Sequence, residues 1–143
     1  MAFERKQTIH LIRNEDLNYH GTLFAGRCAE WLVESGFVTV SSRLNLRNVV
    51  CLKIHGVEFF RPVRVGEQLV FESAIVWTGK STILVYTRLF SPEYPDCLYA
   101  ESFITYCYVN DQTRPVAHNI SVVAESEVEA CLQNRALRLS KLH

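Results

Sequence analysis

The chain predicts an α+β fold, with one long helix laid against an antiparallel sheet of about five strands. Three observations predict it. Apolar residues recur at helical spacing over a single long segment, Ala25 to Leu44. β-branched and aromatic runs broken by turn residues fill most of the chain from Val49 to Val109. The length, 143 residues with 48% apolar side chains, supports one buried core and is too short for two well-packed domains.

Each element follows in order. Phe3 to Ile12 alternates apolar and polar residues and reads as a first strand. Asn14 to Gly21 is rich in Asn, Asp and Gly and reads as a loop. In the helix, Ala25, Cys28, Ala29, Leu32, Val33, Gly36, Phe37 and Val40 form a broad apolar face, while Arg27, Glu30, Glu34 and Ser41 mark a narrow polar stripe. A helix so apolar is expected to be buried on most sides, by a sheet or by a partner subunit. Val49 to Phe60 is the next strand and ends in the turn Arg61-Pro62-Val63-Arg64-Val65-Gly66. Gln68 to Trp77 and Thr82 to Phe90 flank Thr78-Gly79-Lys80-Ser81 as a hairpin. Leu98 to Val109 is a further strand, Pro115 a break, and Glu125 to Leu142 a short exposed helix. No repeat or linker divides the chain, so residues 1–143 read as a single domain.

Composition narrows the function. Lysine plus arginine total 15 and aspartate plus glutamate total 15, a zero balance that argues against a nucleic-acid partner. No polybasic run and no apolar stretch of membrane-spanning length occurs, so no membrane partner is expected. Met1 to Gln7 carries Glu4, Arg5 and Lys6 and lacks the apolar core of a signal peptide. The five cysteines are odd in number and widely spaced, which reads as buried reduced thiols in the cytoplasm. The histidines show no metal-ligand spacing, and no metal or other cofactor is expected.

The chemistry-bearing segment runs from Asp16 through Asn18, Tyr19, His20, Gly21, Thr22, Leu23, Phe24, Ala25 and Gly26 into the helix. It is a polar turn feeding a helix start lined with small residues. Free backbone N–H groups and the positive end of the helix dipole meet there, and can hold a developing oxyanion.

Asn18, then Gly21-Thr22-Leu23-Phe24-Ala25-Gly26, then Trp31-Leu32-Val33, together with Phe59-Phe60-Arg61-Pro62-Val63-Arg64-Val65-Gly66-Glu67, resemble the hotdog-fold acyl-CoA thioesterases. The resemblance spans roughly residues 5 to 140 and continues through Gly79-Lys80-Ser81-Thr82. It implies a hotdog fold, a long central helix wrapped by a curved antiparallel sheet. It implies hydrolysis of an acyl-CoA thioester to free acid and CoA, with coenzyme A entering as part of the substrate. It further implies a homodimer with its sites at the interface, assembling to tetramers or hexamers. Carried over by residue, Asn18 places water or substrate, the N–H groups near Ala25 and Gly26 form the oxyanion site, and His20, Gly21, Thr22 and Phe24 belong to the substrate-binding loop. Arg61, Lys80 and Ser81 sit at strand or hairpin ends, where they can meet CoA phosphates.

One position departs from the family. The register puts its helix aspartate at Val33, and a valine cannot activate water. The neighbouring Glu34 is rotated about 100° along a helix. Three alternatives follow: Glu34 reaches the site as base through local helix distortion; Asp16, His20 or a water held by Asn18 serves; or the protein binds acyl-CoA without hydrolysing it. A thioesterase acting on carrier-protein-bound acyl chains is a further reading. The spacing of His20 and Glu34 matches the acid–base pair of hotdog dehydratases, but the Pro-Gly elements that accompany that pair are missing.

Overall fold

The computed structural model describes residues 3–141. Met1, Ala2, Leu142 and His143 lie outside the described residues, and so therefore does the last residue of the expected terminal helix.

The elements run β1 (Arg5–Leu11), α1 (Ala25–Ser41), β2 (Val49–Phe59), β3 (Gln68–Thr78), β4 (Thr82–Ser91), β5 (Tyr94–Tyr108) and α2 (Glu127–Ser140), with 3-10 turns at Asn14–Asp16 and Leu46–Asn48. The strands form one antiparallel sheet in the order β1-β3-β4-β5-β2. This is the expected α+β hotdog arrangement, a long helix against five antiparallel strands.

Strand alternation divides the sheet into two faces. Leu69, Phe71, Ile75, Ile83, Val85, Leu89, Ile104 and Tyr106 belong to the core under α1, with Cys28, Leu32 and Val40 from the helix. Gly36 lets α1 approach β5 closely: a Cβ there would collide with the Tyr106 side chain, whose hydroxyl donates to the Val33 carbonyl at 2.8 Å. The burial of α1 is less complete than expected. Its sheet side is buried, but Glu30, Glu34, Val38 and Ser41 face solvent in this single chain.

Two boundaries and one exposure differ most from the sequence reading. α1 ends at Ser41 rather than Leu44, because the Ser41 and Ser42 hydroxyls bond the carbonyls of Val38 and Thr39 and compete with helix continuation. β5 begins at Tyr94 rather than Leu98; Pro92 and Glu93 make the turn, and register shifts between Leu89 and Ser91 absorb Pro95. α2 is not simply exposed. It packs on the outer face of the sheet, where Ala136 and Glu129 are buried and Leu132 and Leu139 meet Ala74, Val76, Leu84, Tyr86 and Phe103. Its amphipathic pattern was masked by Glu127, Gln133, Arg135 and Arg138, whose charges and amides suggest solvent.

Ion pairs tie α2 to that face. Arg135 reaches Glu101 at 2.7 Å and Arg5 reaches Glu129 at 3.8 Å, while within the sheet Arg88 and Arg5 converge on Glu72. Glu129 accepts from the N–H groups of Phe3 and Glu125, locking the N-terminal segment to the start of α2. His118 latches the segment between β5 and α2: its ring bonds the Thr82 carbonyl at 2.9 Å and accepts the Ile120 N–H at 2.9 Å.

All five cysteines are free, but only Cys28 and Cys107 are buried; Cys51, Cys97 and Cys131 are exposed, contrary to the expectation of buried thiols. Spacing alone does not reveal which face of an edge strand or outer helix a thiol occupies.

Candidate functional site

The loop before α1 is built by one side chain. The Asn18 carboxamide oxygen accepts from the N–H groups of His20 (2.9 Å) and Thr22 (3.2 Å), and its nitrogen lies 3.1 Å from the Thr22 hydroxyl oxygen. This is an Asx-type turn, in which a short amide replaces backbone partners. Gly21 completes it with φ of +77°, which disfavours a side chain. The loop is then fastened to the Arg61–Gly66 turn, since Leu23 N–H donates to the Val63 carbonyl at 2.8 Å and Thr22 bridges Arg64.

Phe24 stands at the N-cap of α1 and offers no side-chain acceptor. The first N–H to turn back into the chain is that of Cys28, at 3.1 Å from the Phe24 carbonyl. The N–H groups of Ala25, Gly26 and Arg27 thus have no acceptor among the described residues. Gly26 leaves room for the Phe24 ring; a Cβ would lie 2.6 Å from it. An uncapped helix start of this kind presents oriented donors and the positive end of the dipole to any anion beside it.

A cleft of about 420 Å³ opens there, lined by Asn18, Leu23, Ala25, Phe59, Phe60, Arg61, Pro62 and Val63. The structure therefore brings together Asn18, Ala25 and Arg61 from the residues singled out in sequence. Thr22 and Gly21 shape the same loop, and Gly26 follows Ala25 in the first helical turn. The aromatic pair Phe59 and Phe60, both about half exposed, supplies an apolar wall.

Other candidates stand apart. Glu34 lies on the exposed stripe of α1 and not in the cleft wall, and α1 is a continuous α-helix through that position. Val33, one residue earlier, packs against the core. His20 is exposed at the loop tip beside the fully exposed Tyr19. Asp16 is buried and committed, accepting the Arg13 N–H at 2.9 Å and pairing with Arg27 at 3.2 Å. Lys80 and Ser81 occupy the β3–β4 turn at the far end of the sheet, about 25 Å along β4 from the cleft end. Tyr108 N–H bonds the Ser81 carbonyl there, beside the start of β2.

The sequence reading missed two arrangements. His10 on β1 stacks on Trp31 with ring centroids 4.1 Å apart; burial lowers its pKa, while the Glu34 and Asp16 carboxylates pull it up. No spacing signal links a strand histidine to a helix tryptophan. The second is Tyr99, whose ring lies under the Arg61 guanidinium and whose hydroxyl reaches Glu67. Cys28 is the packing residue expected, with its thiol pushed up to about 12 by burial. Among the described residues no cluster of three or more His, Cys, Asp or Glu side chains is arranged to hold a metal ion. No helix among them is long and apolar enough to cross a membrane.

Comparison with known proteins agrees with this geometry. The family model for the thioesterase superfamily matches residues 20–97. The chain is 26% identical over 126 residues to the uncharacterized acyl-CoA thioester hydrolase YkhA of Bacillus subtilis (strain 168), covering 86% of this chain and 72% of that protein. It superimposes on the crystal structure of an apo-hexameric acyl-CoA thioesterase with a TM-score of 0.84 and 27% identity, over 96% of this chain and 88% of that one. An acyl-CoA hydrolase from Bacillus cereus (TM-score 0.85, 23% identity, 96% and 84% of the two chains) shares the fold. So does one from Staphylococcus aureus in complex with butyryl coenzyme A and coenzyme A (TM-score 0.82, 22% identity, 94% and 80%).

Proposed function

Because the chain belongs to the thioesterase superfamily, we propose that it hydrolyses an acyl-CoA thioester to a free acid and CoA. The observation that carries the reading is the uncapped start of α1 opening into the Asn18 cleft. Water attacks the thioester carbonyl carbon and the electron pair moves onto the carbonyl oxygen. The N–H groups of Ala25 and Gly26 receive that oxyanion, and collapse expels the CoA sulfur, which takes the proton removed from water. Asn18 holds the loop, and with it the water or substrate, in place. Glu34 is the proposed base, acting from the exposed side of α1 toward a site completed by a second protomer. His20, Gly21, Thr22 and Phe24 form the substrate loop. Coenzyme A is needed only as part of the substrate.

The proposed unit is a homodimer of single domains, residues 1–143 each, joined through β2. Among the described residues that strand lies at a sheet edge, pairs only with β5, and exposes Leu52 and Ile54. A two-fold pairing of β2 edges is antiparallel, so the Val49 end of one strand meets the Phe59 end of the other. Such a pairing carries Lys80 and Ser81 of one protomer toward the Asn18 cleft of its partner, where they meet CoA phosphates. Dimers of this kind assemble further, as tetramers or hexamers. The free thiols support a reducing, cytoplasmic setting.

Valine at position 33 supports a second reading, in which the protein binds acyl-CoA without cleaving it. Release of free CoA thiol from acyl-CoAs of graded chain length separates the two. Turnover is expected, falling at least about tenfold in Asn18→Ala and in Glu34→Gln. An unchanged rate in Glu34→Gln removes Glu34 as base. Saturable CoA binding without turnover sinks hydrolysis in favour of the binder. Turnover restricted to acyl chains on carrier protein reassigns the substrate.

A further inference from the structure

Besides Lys80 and Ser81, which the proposed dimer brings from the partner, the cleft wall holds a cation of its own for the carrier end of the substrate. Arg5, Arg27, Arg88 and Arg135 are each paired with a carboxylate. Arg61, in the wall of the Asn18 cleft, has no carboxylate partner among the described residues. Instead its guanidinium carbon lies 5.5 Å from the centroid of the Tyr99 ring. That ring is buried, and its hydroxyl donates to Glu67 at 2.8 Å. The other Glu67 oxygen accepts the Arg64 N–H at 2.7 Å, so one carboxylate ties the Tyr99 ring to the very turn that carries Arg61. The backbone closes the same unit: Phe60 N–H donates to the Tyr99 carbonyl at 2.8 Å.

A guanidinium resting on an aromatic face keeps its N–H edge free, and that edge matches two oxygens of a phosphate. Resting on the proposal that CoA thioesters are the substrate, we infer that Tyr99, anchored by Glu67, is the positioning residue that presents Arg61 to the phosphates of CoA. The pair makes the site selective for a phosphate-bearing thioester over a phosphate-free one. Tyr99 itself touches no reacting atom, because its hydroxyl is spent on Glu67.

Calorimetric titration with CoA and with pantetheine, which lacks the phosphates, tests this on the full chain. Tyr99→Leu and Arg61→Gln should each weaken CoA binding about fivefold and leave pantetheine binding unchanged. The double variant should be no weaker than either single one, since both remove the same contact. Tyr99→Phe keeps the ring and should stay within about threefold of the parent protein. Equal losses for CoA and pantetheine, additive losses in the double variant, or no loss in Tyr99→Leu overturns the inference. So does a parent protein that does not bind CoA. If Tyr99→Leu does not fold, salt decides: CoA affinity should fall more steeply with ionic strength in the parent than in Arg61→Gln, and equal slopes refute the role. A parent that binds CoA without turnover refutes hydrolysis alone and leaves this inference standing.

Discussion

Val33 is the residue on which the proposed chemistry turns. It sits one position before Glu34 on α1, and the carbonyl of Val33 is held by the Tyr106 hydroxyl at 2.8 Å. A carboxylate introduced there adds a candidate base, next to the core that Val33 packs against, at the position where the resemblance places the family's helix aspartate. Val33→Asp should raise thiol release at least about tenfold over the parent, within the range that a positioned base contributes; an unchanged rate counts against the register of α1. Residues of purely structural weight are as specific. The His118 ring satisfies the buried Ile120 N–H and the Thr82 carbonyl together. His118→Ala should cost about 1–3 kcal/mol in denaturant unfolding, because it orphans a buried donor. Asn18 and Gly21 were legible in sequence as a turn, because the amide and the left-handed glycine act within their own loop. Tyr99 and His10 were not, because their partners Arg61 and Trp31 are distant in the chain and adjacent only across elements.

At the scale of elements, paired carboxylates hold α2 to the sheet and the strands to one another. Burial pushes the Glu101 carboxyl up, but the bonds from Arg135 and Tyr86 outweigh it and hold it below the usual carboxylate range. Glu72 is held low in the same way, by Arg88 and Gln7 against burial. A carboxylate whose pKa falls on folding stabilises above its unfolded value and loses that contribution as pH drops through the folded one. The parent protein should therefore keep its melting temperature above about pH 5 and lose it progressively below about pH 4. Glu101→Gln should start from a lower melting temperature near neutrality and show a flatter acid limb; parallel limbs would mean that this pair does not bear on acid stability. The helix itself was foreseen, but not its burial. Its polar residues are those that bond the outer face of the sheet, and composition alone does not separate a solvated charge from one paired across a layer. The β3–β4 hairpin, by contrast, was read closely, since its turn chemistry is local.

For the whole molecule, the proposed assembly rests on one edge of the sheet. Among the described residues β2 ends the sheet order and exposes Leu52 and Ile54, a combination that suits the addition of another strand. Ile54→Pro removes an edge donor and adds a ring at the middle of that strand, and should shift the protein toward monomer in sedimentation velocity. Turnover should fall in parallel, because Lys80 and Ser81 then stay about 25 Å from the cleft they are proposed to serve. Full activity in a stable monomer would refute a shared site.

Periodicity, turn residues and length were enough to establish the α+β class, the long helix, the central hairpin and the loop that leads into α1. Those signals are local, and a chain obeys them wherever its neighbours sit. The tertiary structure alone established that α2 covers the outer face, that Asp16 is spent on Arg27, and that Glu34 is exposed on α1 outside the cleft wall of its own protomer. It alone set Arg61 on Tyr99. Each of these depends on which faces of distant elements meet, and the free energy that selects them comes from burial and pairing across the sheet rather than from any stretch of sequence.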